Sequence, residues 1–283
     1  MTIRMIVVAG LALVAPLTSQ QRQVRALAAD QDVAIRLWVP AGFVEVQGWD
    51  RDSVDVRVTP EPGTTFSGGG TRSAAKFALE ARSGSAELPS ATMRVMVPRR
   101  ARLWIKSTTA TVHVQGVRGE LDVLQVDGAT TLRDLRGVIS VESIDGTIAL
   151  SRADGVIRIR GGAAAISLGG IYGRLDVSSI SGNVSLTGAA GADGPVGELQ
   201  AEIVTVGGDV MLIGGLPAGG SLGIETHDGD VQLVLHRATV PQVLATGGTR
   251  HVAAGLETAA GKVGVVTVRT FKGTVNASVT GGI

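Results

Sequence analysis

The chain contains 283 residues with a formal net charge of +1, no cysteine, 40 glycines and 3% aromatic residues. Without cysteine the chain cannot form a disulfide, a cysteine-ligated zinc site or a catalytic thiol. A near-neutral charge with no run of basic residues gives no electrostatic footprint for nucleic acid, so we expect no nucleic-acid partner.

The N-terminus has the pattern of an export signal. Arg4 precedes an apolar run at residues 5–15, which is too short to span a bilayer comfortably but suits the core of a signal peptide. Small residues at 26–28 form a candidate cleavage site. The sequence therefore predicts a signal peptide over residues 1–28 and an exported product in the periplasm, at the cell surface or outside the cell. Retention of the segment as an uncleaved anchor is the alternative.

Residues 29–98 have the pattern of strands without a fixed repeat. Val54, Val56 and Val58, for example, alternate with polar residues, which indicates a half-buried strand. Terminal units of a repeat protein must cover the open end of its apolar stack. We therefore predict a β-rich N-terminal cap over residues 29–98, followed by a repeat region over residues 99–283. A separate small β-domain is the alternative.

Four consecutive blocks of 18 residues, which we call coils, fill residues 120–191. Within a coil, positions 2, 4, 11 and 13 are mostly apolar, a turn falls at positions 8 and 9, and position 18 is glycine. Such a period means that one unit of secondary structure is stacked on copies of itself. The same register begins at Arg102, Gln200, Ser221 and Val265, so we predict eight coils in all.

Two positions of the coil are apolar throughout and define the predicted core. Position 4 is Ile105, Val123, Val141, Ile159, Val177, Ile203, Ile224 and Val268, and position 13 is Val114, Leu132, Leu150, Leu168, Leu186, Leu212, Leu233 and Ala277. Since β-branched residues favour a pleated surface, we predict an all-β fold, a single-stranded, right-handed β-solenoid (β-helix). A meander of hairpins is the alternative, because a strand, an Asp-Gly pair and a strand also predict a hairpin.

Glycine recurs at the turn of the coil. Gly128, Gly146, Gly182 and Gly229 each follow an aspartate or a serine. Glycine adopts a positive φ without steric cost, and turns often need one. We therefore predict a positive φ at each of these glycines.

A long insertion between residues 238 and 264 separates the last two coils, and only residues 280–283 follow the last one. Insertions in repeat proteins usually form loops on one side of the stack. The insertion therefore either folds over the C-terminal end of the stack or leaves that end free as an assembly surface.

The consensus block, xLxVxSxxGxVxLxGxxG, covers about residues 43–279 and resembles the bacterial putative-adhesin families of unknown function, which are related to the auto-transporter adhesin head (GIN) domain. The resemblance implies a β-solenoid and a non-enzymatic, exported scaffold that presents a flat face for binding, and it carries no catalytic residue across. An envelope structural or regulatory element in stress signalling, assembling with itself or a membrane partner, is the alternative.

The second strand of the first five coils offers a candidate interaction face. Its outward positions 10 and 12 carry no Asp, Glu, Lys or Arg, and include Thr111, Thr131, Thr147, Ser167 and Ser185. Covering small, uncharged side chains costs little side-chain entropy and little ion hydration. We expect this face to dock on an envelope or extracellular protein, a glycan or a second copy of the chain. The alternative is that threonine merely suits an exposed strand.

Two pairs of carboxylates are predicted to lie on neighbouring coils, Asp176 with Glu202 and Asp209 with Asp230. A separation of about 5 Å is that of retaining glycosidases, so a polysaccharide-active enzyme is a further alternative, although no aromatic platform for a sugar is evident nearby. Asp228 joins the second pair at a turn, where oxygen ligands suit calcium, but hydrogen bonding within the turn is our interpretation. We predict no catalytic residue, no cofactor and no metal site.

Overall fold

The computed structural model describes residues 22–85, 87–188, 198–258 and 264–280. These residues form 22 β-strands in one long, unclosed sheet, a single 3-10 turn at Arg237–Thr239 and no α-helix. The predicted all-β class is confirmed. In the part of the chain that is described, no helix has the length and apolarity needed to cross a membrane. The apolar run at residues 5–15 lies outside the described residues.

The strands fall into three groups along the chain. The N-terminal strands are β1 (Gln23–Ala28), β2 (Ala34–Val39), β3 (Ala41–Trp49), β4 (Ser53–Pro60), β5 (Thr64–Gly70), β6 (Ala74–Ala81) and β7 (Ser90–Pro98). The uninterrupted coils contain β8 (Arg102–Ser107), β9 (Thr111–Gln115), β10 (Glu120–Gln125), β11 (Ala129–Ser143), β12 (Thr147–Gly161), β13 (Ala165–Ser179) and β14 (Val184–Thr187). The last strands are β15 (Leu199–Thr205), β16 (Val210–Gly214), β17 (Ser221–Thr226), β18 (Val231–His236), β19 (Gln242–Thr246), β20 (Thr249–Val252), β21 (Val265–Thr270) and β22 (Thr274–Thr280).

Parallel pairing joins equivalent positions of successive coils. Val123 of β10 pairs with Ile105 of β8 on one side and with Val141 of β11 on the other. The pairing continues across both insertions, where β15 lies on β13, β17 on β15 and β21 on β17. The register of the coils is therefore as the repeat predicts.

The two predicted apolar columns form the core. All eight side chains at position 4 are at most 3% exposed, and all eight at position 13 are at most 4% exposed. Burying a valine or leucine side chain contributes about 1.5–3 kcal/mol each relative to leaving it exposed. The columns therefore supply much of the energy that holds one coil on the next.

The N-terminal region is built partly from strands that continue the stack. Strand β2 lies between β6 and β8, and strand β3 lies between β7 and β9. All four pairings are parallel. Antiparallel strands then cover the outside, with β5 on β6, β4 on β7 and β1 on β4. Residues 29–98 are rich in β-strands, and their antiparallel strands shield the edges that the parallel stack would otherwise leave open.

Strand β1 falls inside the segment predicted to be a signal peptide. Its residues pair with residues 53–58 of β4, and the partly buried Leu27 packs against the core. Cleavage after residue 28 would remove this edge strand, whereas cleavage upstream of Gln23 would keep it.

The long insertion folds over the C-terminal end of the stack. β19 pairs with β21 and β20 pairs with β22, so residues 242–252 lie outside the coil that begins at Val265. Val243 and Leu256 are buried there. The first of the two alternatives for the insertion is therefore correct. The order of the strands in space therefore differs from their order in the sequence at both ends of the parallel stack. At the N-terminal end β6 and β7 lie outside β2 and β3, and at the C-terminal end β19 and β20 lie outside β21 and β22.

The turn glycines are required for two different reasons. Gly128 and Gly146 have the predicted positive φ, at 114° and 89°. The prediction is wrong for Gly182 and Gly229, whose φ is not positive. A Cβ at Gly182 would lie 1.9 Å from the carbonyl oxygen of Ala164 in the coil below, so glycine is needed there because two backbones approach closely.

A column of buried polar side chains at position 6, which strand alternation alone does not predict, fixes the same turns. The Ser143 hydroxyl donates a hydrogen bond to the carbonyl of Asp145 at 2.7 Å, and Thr205 donates one to Gly208 at 2.8 Å. Ser107 instead accepts one from the backbone N–H of Ala110 at 3.0 Å. These hydroxyls satisfy turn backbone groups that would otherwise be buried without a partner.

Candidate binding surfaces

The five predicted interaction residues point outward and lie on one face, which we call the small-residue face. Thr147 and Ser167 are exposed, and Thr111, Thr131 and Ser185 are half-buried. Parallel pairing aligns them with other small residues, since Thr147 lies between Ala129 and Ala165, and Ser167 between Ala149 and Ser185. The face is therefore two straight columns of small side chains on one pleated sheet.

Larger side chains border this face at each end. Phe43 of β3 pairs with Thr111, and its ring meets that of His113 edge-on at 5.0 Å. Met211, at the other end, pairs with Ser185 and is exposed. The small-residue face is thus an uncharged strip, bordered by Phe43 and Glu45 at one end and by Asp209 and Met211 at the other.

The carboxylates of Asp209 and Asp230 take part in hydrogen bonding between coils. The Asn183 side chain accepts the backbone N–H of Asp209 at 2.9 Å, the Asp209 carboxylate accepts that of Asp230 at 2.9 Å, and the Asp230 carboxylate accepts that of Thr274 at 2.7 Å. This ladder supports the interpretation that these residues stabilise turns. Within the described ranges, no group of three or more Asp, Glu or His side chains is arranged to hold a metal ion.

Asp176 and Glu202 lie directly opposite each other on β13 and β15. The insertion between them leaves their register intact. Asp176 also contacts the guanidinium groups of Arg174 at 3.4 Å and Arg158 at 4.0 Å. The pair is thus part of a charge network on an outward sheet face.

Two tryptophans lie on neighbouring strands of the opposite face of the stack, formed by the first strand of each coil. In the pairing of β2 with β8, Arg36 lies opposite Trp104 and Trp38 lies opposite Lys106. The Arg36 guanidinium carbon is 5.9 Å from the Trp104 ring centroid, and the Lys106 ammonium is 5.3 Å from that of Trp38. We call this group, with its neighbours Lys76 and Asp122, the tryptophan cradle. It lines a cavity of about 490 Å³.

Asp122 gives the cradle one acidic side chain. It pairs with Trp104 on β8 and is half-buried. Burial, with added repulsion from Glu120 and Glu142, raises the pKa of Asp122 above its usual range. The sequence pattern does not predict the cradle, because the strand that carries Trp38 stacks on β8 out of sequence order.

Exposed apolar side chains also line up along the turns, at position 7 of the coil. Val126, Ile144, Ile180 and Val206 are between 47% and 64% exposed. Backbone hydrogen bonds hold this column straight, such as that from the N–H of Asp145 to the carbonyl of Val126 at 2.9 Å. We call these four residues the apolar ridge. The alternation of strands did not predict it, because position 7 lies just beyond the strand.

No protein-family model matches the chain, and no curated protein matches it. Several solved structures are similar to it. One is a "putative adhesin" from Bacteroides fragilis, with 8% identity, coverage of 92% of this chain and 98% of that chain, and a TM-score of 0.42. A second, from Parabacteroides merdae, has 11% identity, coverage of 93% and 97%, and a TM-score of 0.35. A third, from Parabacteroides distasonis, has 12% identity, coverage of 93% and 94%, and a TM-score of 0.35.

Proposed function

We propose that the protein is a non-enzymatic, exported, adhesin-like scaffold that binds a partner in the cell envelope or at the cell surface through its small-residue face. The observation that carries this proposal is the alignment of uncharged side chains at positions 10 and 12 over successive coils. A rigid, flat strip of this kind loses little entropy and little hydration when another surface covers it.

The proposal includes a right-handed solenoid of about eight coils. Parallel pairing of residues one coil apart supports the solenoid, because a chain wound continuously in one direction would produce it. The right hand is the one that connections between parallel strands of one sheet nearly always take. In such a scaffold each coil contacts mainly its neighbours, so the outward side chains can vary without changing the core. That property suits a protein whose role is to present a surface.

A double variant tests the binding role of the small-residue face. Thr131→Lys with Thr147→Lys places two long cations on the face, and Ser140→Lys with Ser178→Lys adds the same charge to outward positions of the opposite face. We expect both variants to fold, and only the first to lose binding of the purified protein to isolated bacterial envelopes. Unchanged binding by a folded Thr131 and Thr147 variant would contradict the proposal. If Ile144→Lys abolishes binding instead, the partner contacts the apolar ridge.

Export is tested separately. Mass spectrometry of the native protein should find a new N-terminus between residues 18 and 30, because the apolar run at residues 5–15 follows Arg4. A start upstream of Gln23 would retain β1. Recovery of intact Met1 from a cytoplasmic fraction would contradict export.

End-to-end assembly is a second candidate function, and one observation favours it. Within the described residues, β19 and β20 each pair with a strand on one side only. Such edges present unpaired backbone groups that can pair with another chain. Sedimentation velocity over a range of protein concentrations tests this role, and a single monomeric species throughout would contradict it.

A further inference from the structure

We propose that the tryptophan cradle is a second binding site, and that it binds a carboxylated saccharide such as a uronic acid oligomer. The cradle lies on the first-strand face, away from the small-residue face. The two sites are therefore separable, and loss of one should leave the other intact.

The indole rings provide the apolar part of the site. Trp38 and Trp104 belong to adjacent strands and are offset by two residues along the strand direction. Strands about 4.8 Å apart with a rise of about 3.3 Å per residue place the two Cβ atoms roughly 8 Å apart. Both indoles are only partly buried. The C–H face of a sugar ring packs on such an aromatic surface, and a short oligosaccharide can reach both rings.

Three cations around the indoles provide the charged part. Arg36 lies between Lys76 and Trp104, and Lys106 lies beside Trp38. In the described part of the chain, none of these three cations has a carboxylate within 4.0 Å, whereas other surface arginines such as Arg99 and Arg152 are paired. Cations that gather beside aromatic rings without an acidic partner are suited to an anionic ligand.

Asp122 helps to decide which class of anionic ligand the cradle would bind. Basic surfaces with aromatic rings also suit single-stranded nucleic acid, whose phosphates repeat along the chain. Asp122 borders the cradle, with Glu120 and Glu142 close to it, so a row of phosphates would meet a row of carboxylates. A uronic acid oligomer also carries one charge per ring, but each ring has hydroxyl donors as well. Its carboxylate can therefore lie near Arg36 and Lys76 while a hydroxyl of the same ring donates a hydrogen bond to Asp122.

Fluorescence titration of the full chain with trigalacturonic acid tests the proposal. The chain has three tryptophans, so Trp49→Phe leaves only the two in the cradle to report binding. We expect a saturable change with trigalacturonic acid and at least tenfold weaker binding of its methyl ester, which keeps the sugar rings and loses the charge. Affinity should also fall as salt concentration rises.

Matched variants separate binding from folding. Trp104→Ala should abolish binding, and Trp104→Phe should restore most of it because an aromatic surface remains. Arg36→Gln should weaken binding at least tenfold, while Arg160→Gln, which removes a cation three strands beyond Lys106 on the same face, should leave it unchanged. Calorimetry of unfolding checks that each variant is folded.

Three results would overturn the proposal. They are the absence of saturable binding by the unaltered cradle, equal affinity for the acid and its methyl ester, and equal or tighter binding of an oligothymidylate. The Thr131 and Thr147 lysine variant should bind trigalacturonic acid normally. This last result distinguishes failure of the cradle from failure of the small-residue face.

Discussion

Asp134 and Arg152 form an ion pair through two hydrogen bonds. Both lie at position 15 of neighbouring coils, a position that we call the corner. The carboxylate of Asp134 accepts hydrogen bonds from Nε of Arg152 at 2.5 Å and from Nη2 at 2.7 Å. Both residues have a positive φ, 55° and 53°. The same corner position is occupied by Gly116 and Gly170, with φ of 72° and 63°. In these four coils the corner therefore has a left-handed backbone whether the residue is glycine, aspartate or arginine.

Substitution of Arg152 tests this backbone requirement. Arg152→Gly relieves about 1–2 kcal/mol of left-handed strain. It also loses a weak, exposed ion pair and about 0.5–1 kcal/mol of chain entropy. We expect the free energy of unfolding to change by less than about 1 kcal/mol. Arg152→Val should cost about 1–3 kcal/mol, because a β-branched residue is strained there. Urea unfolding of both variants is the measurement, and equal losses of stability would contradict the assignment.

Two aspartates should respond to pH in opposite directions. The hydrogen bond from Arg152 lowers the pKa of Asp134, so Asp134 stabilises the fold above about pH 4, the usual range of an aspartate, and the contribution disappears as the pH falls through its lowered pKa. Burial raises the pKa of Asp122, so ionisation of this carboxylate destabilises the fold as the pH rises from the usual aspartate range, about 4, through its raised pKa.

The substitutions Asp134→Asn and Asp122→Asn make this opposition measurable. At pH 7 we expect Asp134→Asn to lower the melting temperature and Asp122→Asn to raise it. At a pH below both pKa values the two differences from the unaltered protein should shrink. Shifts of the same sign at pH 7 would contradict the assigned environments.

Val141 tests the predicted core. Its side chain is 1% exposed in the position-4 column, and an unpaired carboxylate there should destabilise the fold by about 3 kcal/mol or more. Ser140 points outward between Asp122 and Arg158, whose charges oppose each other. We expect Val141→Asp to unfold at a much lower temperature than Ser140→Asp. Equal melting temperatures would contradict the assignment of Val141 as an inward position and Ser140 as an outward one.

Gly182 tests the close approach of successive turns. A Cβ at this position would lie 1.9 Å from the carbonyl oxygen of Ala164. A Cβ at Gly207 would lie 3.9 Å from the carbonyl oxygen of Ile180, which is an ordinary contact distance. Gly182→Ala should therefore cost about 1–3 kcal/mol through overpacking, and Gly207→Ala should be tolerated. Calorimetric unfolding of the two variants is the check, and a tolerated Gly182→Ala would mean that the turns are spaced further apart.

The regular coils could be predicted from the sequence because their period alone fixes the register. Positions 4 and 13 lie where the repeat places them, from Ile105 to Val268 and from Val114 to Ala277. The buried hydroxyls at position 6 could in principle also be predicted from the sequence. Serine or threonine occupies this position from Ser107 to Thr270, except at Gln125 and Gly161. Strand alternation assigns such residues only to a face of the sheet. It does not show that they form hydrogen bonds with the turn that follows them in the same coil.

The ends and the tryptophan cradle could not be predicted in the same way. Residues 34–49 have no 18-residue period, so nothing in the sequence indicates that Trp38 stacks on Lys106 while β6 and β7 lie beyond it. Residues 242–252 likewise lie outside a coil that follows them in the chain. These neighbours are set by tertiary packing, which local patterns do not specify.

Blocking one position of the small-residue face with a bulky group tests its role most directly. Because the chain has no cysteine, Thr147→Cys and Ser178→Cys each create a single labelling site, one on that face and one on the opposite face. A polyethylene glycol maleimide attached at residue 147 should abolish binding to isolated envelopes, and the same label at residue 178 should not. Full binding by the protein labelled at residue 147 would contradict the proposed function.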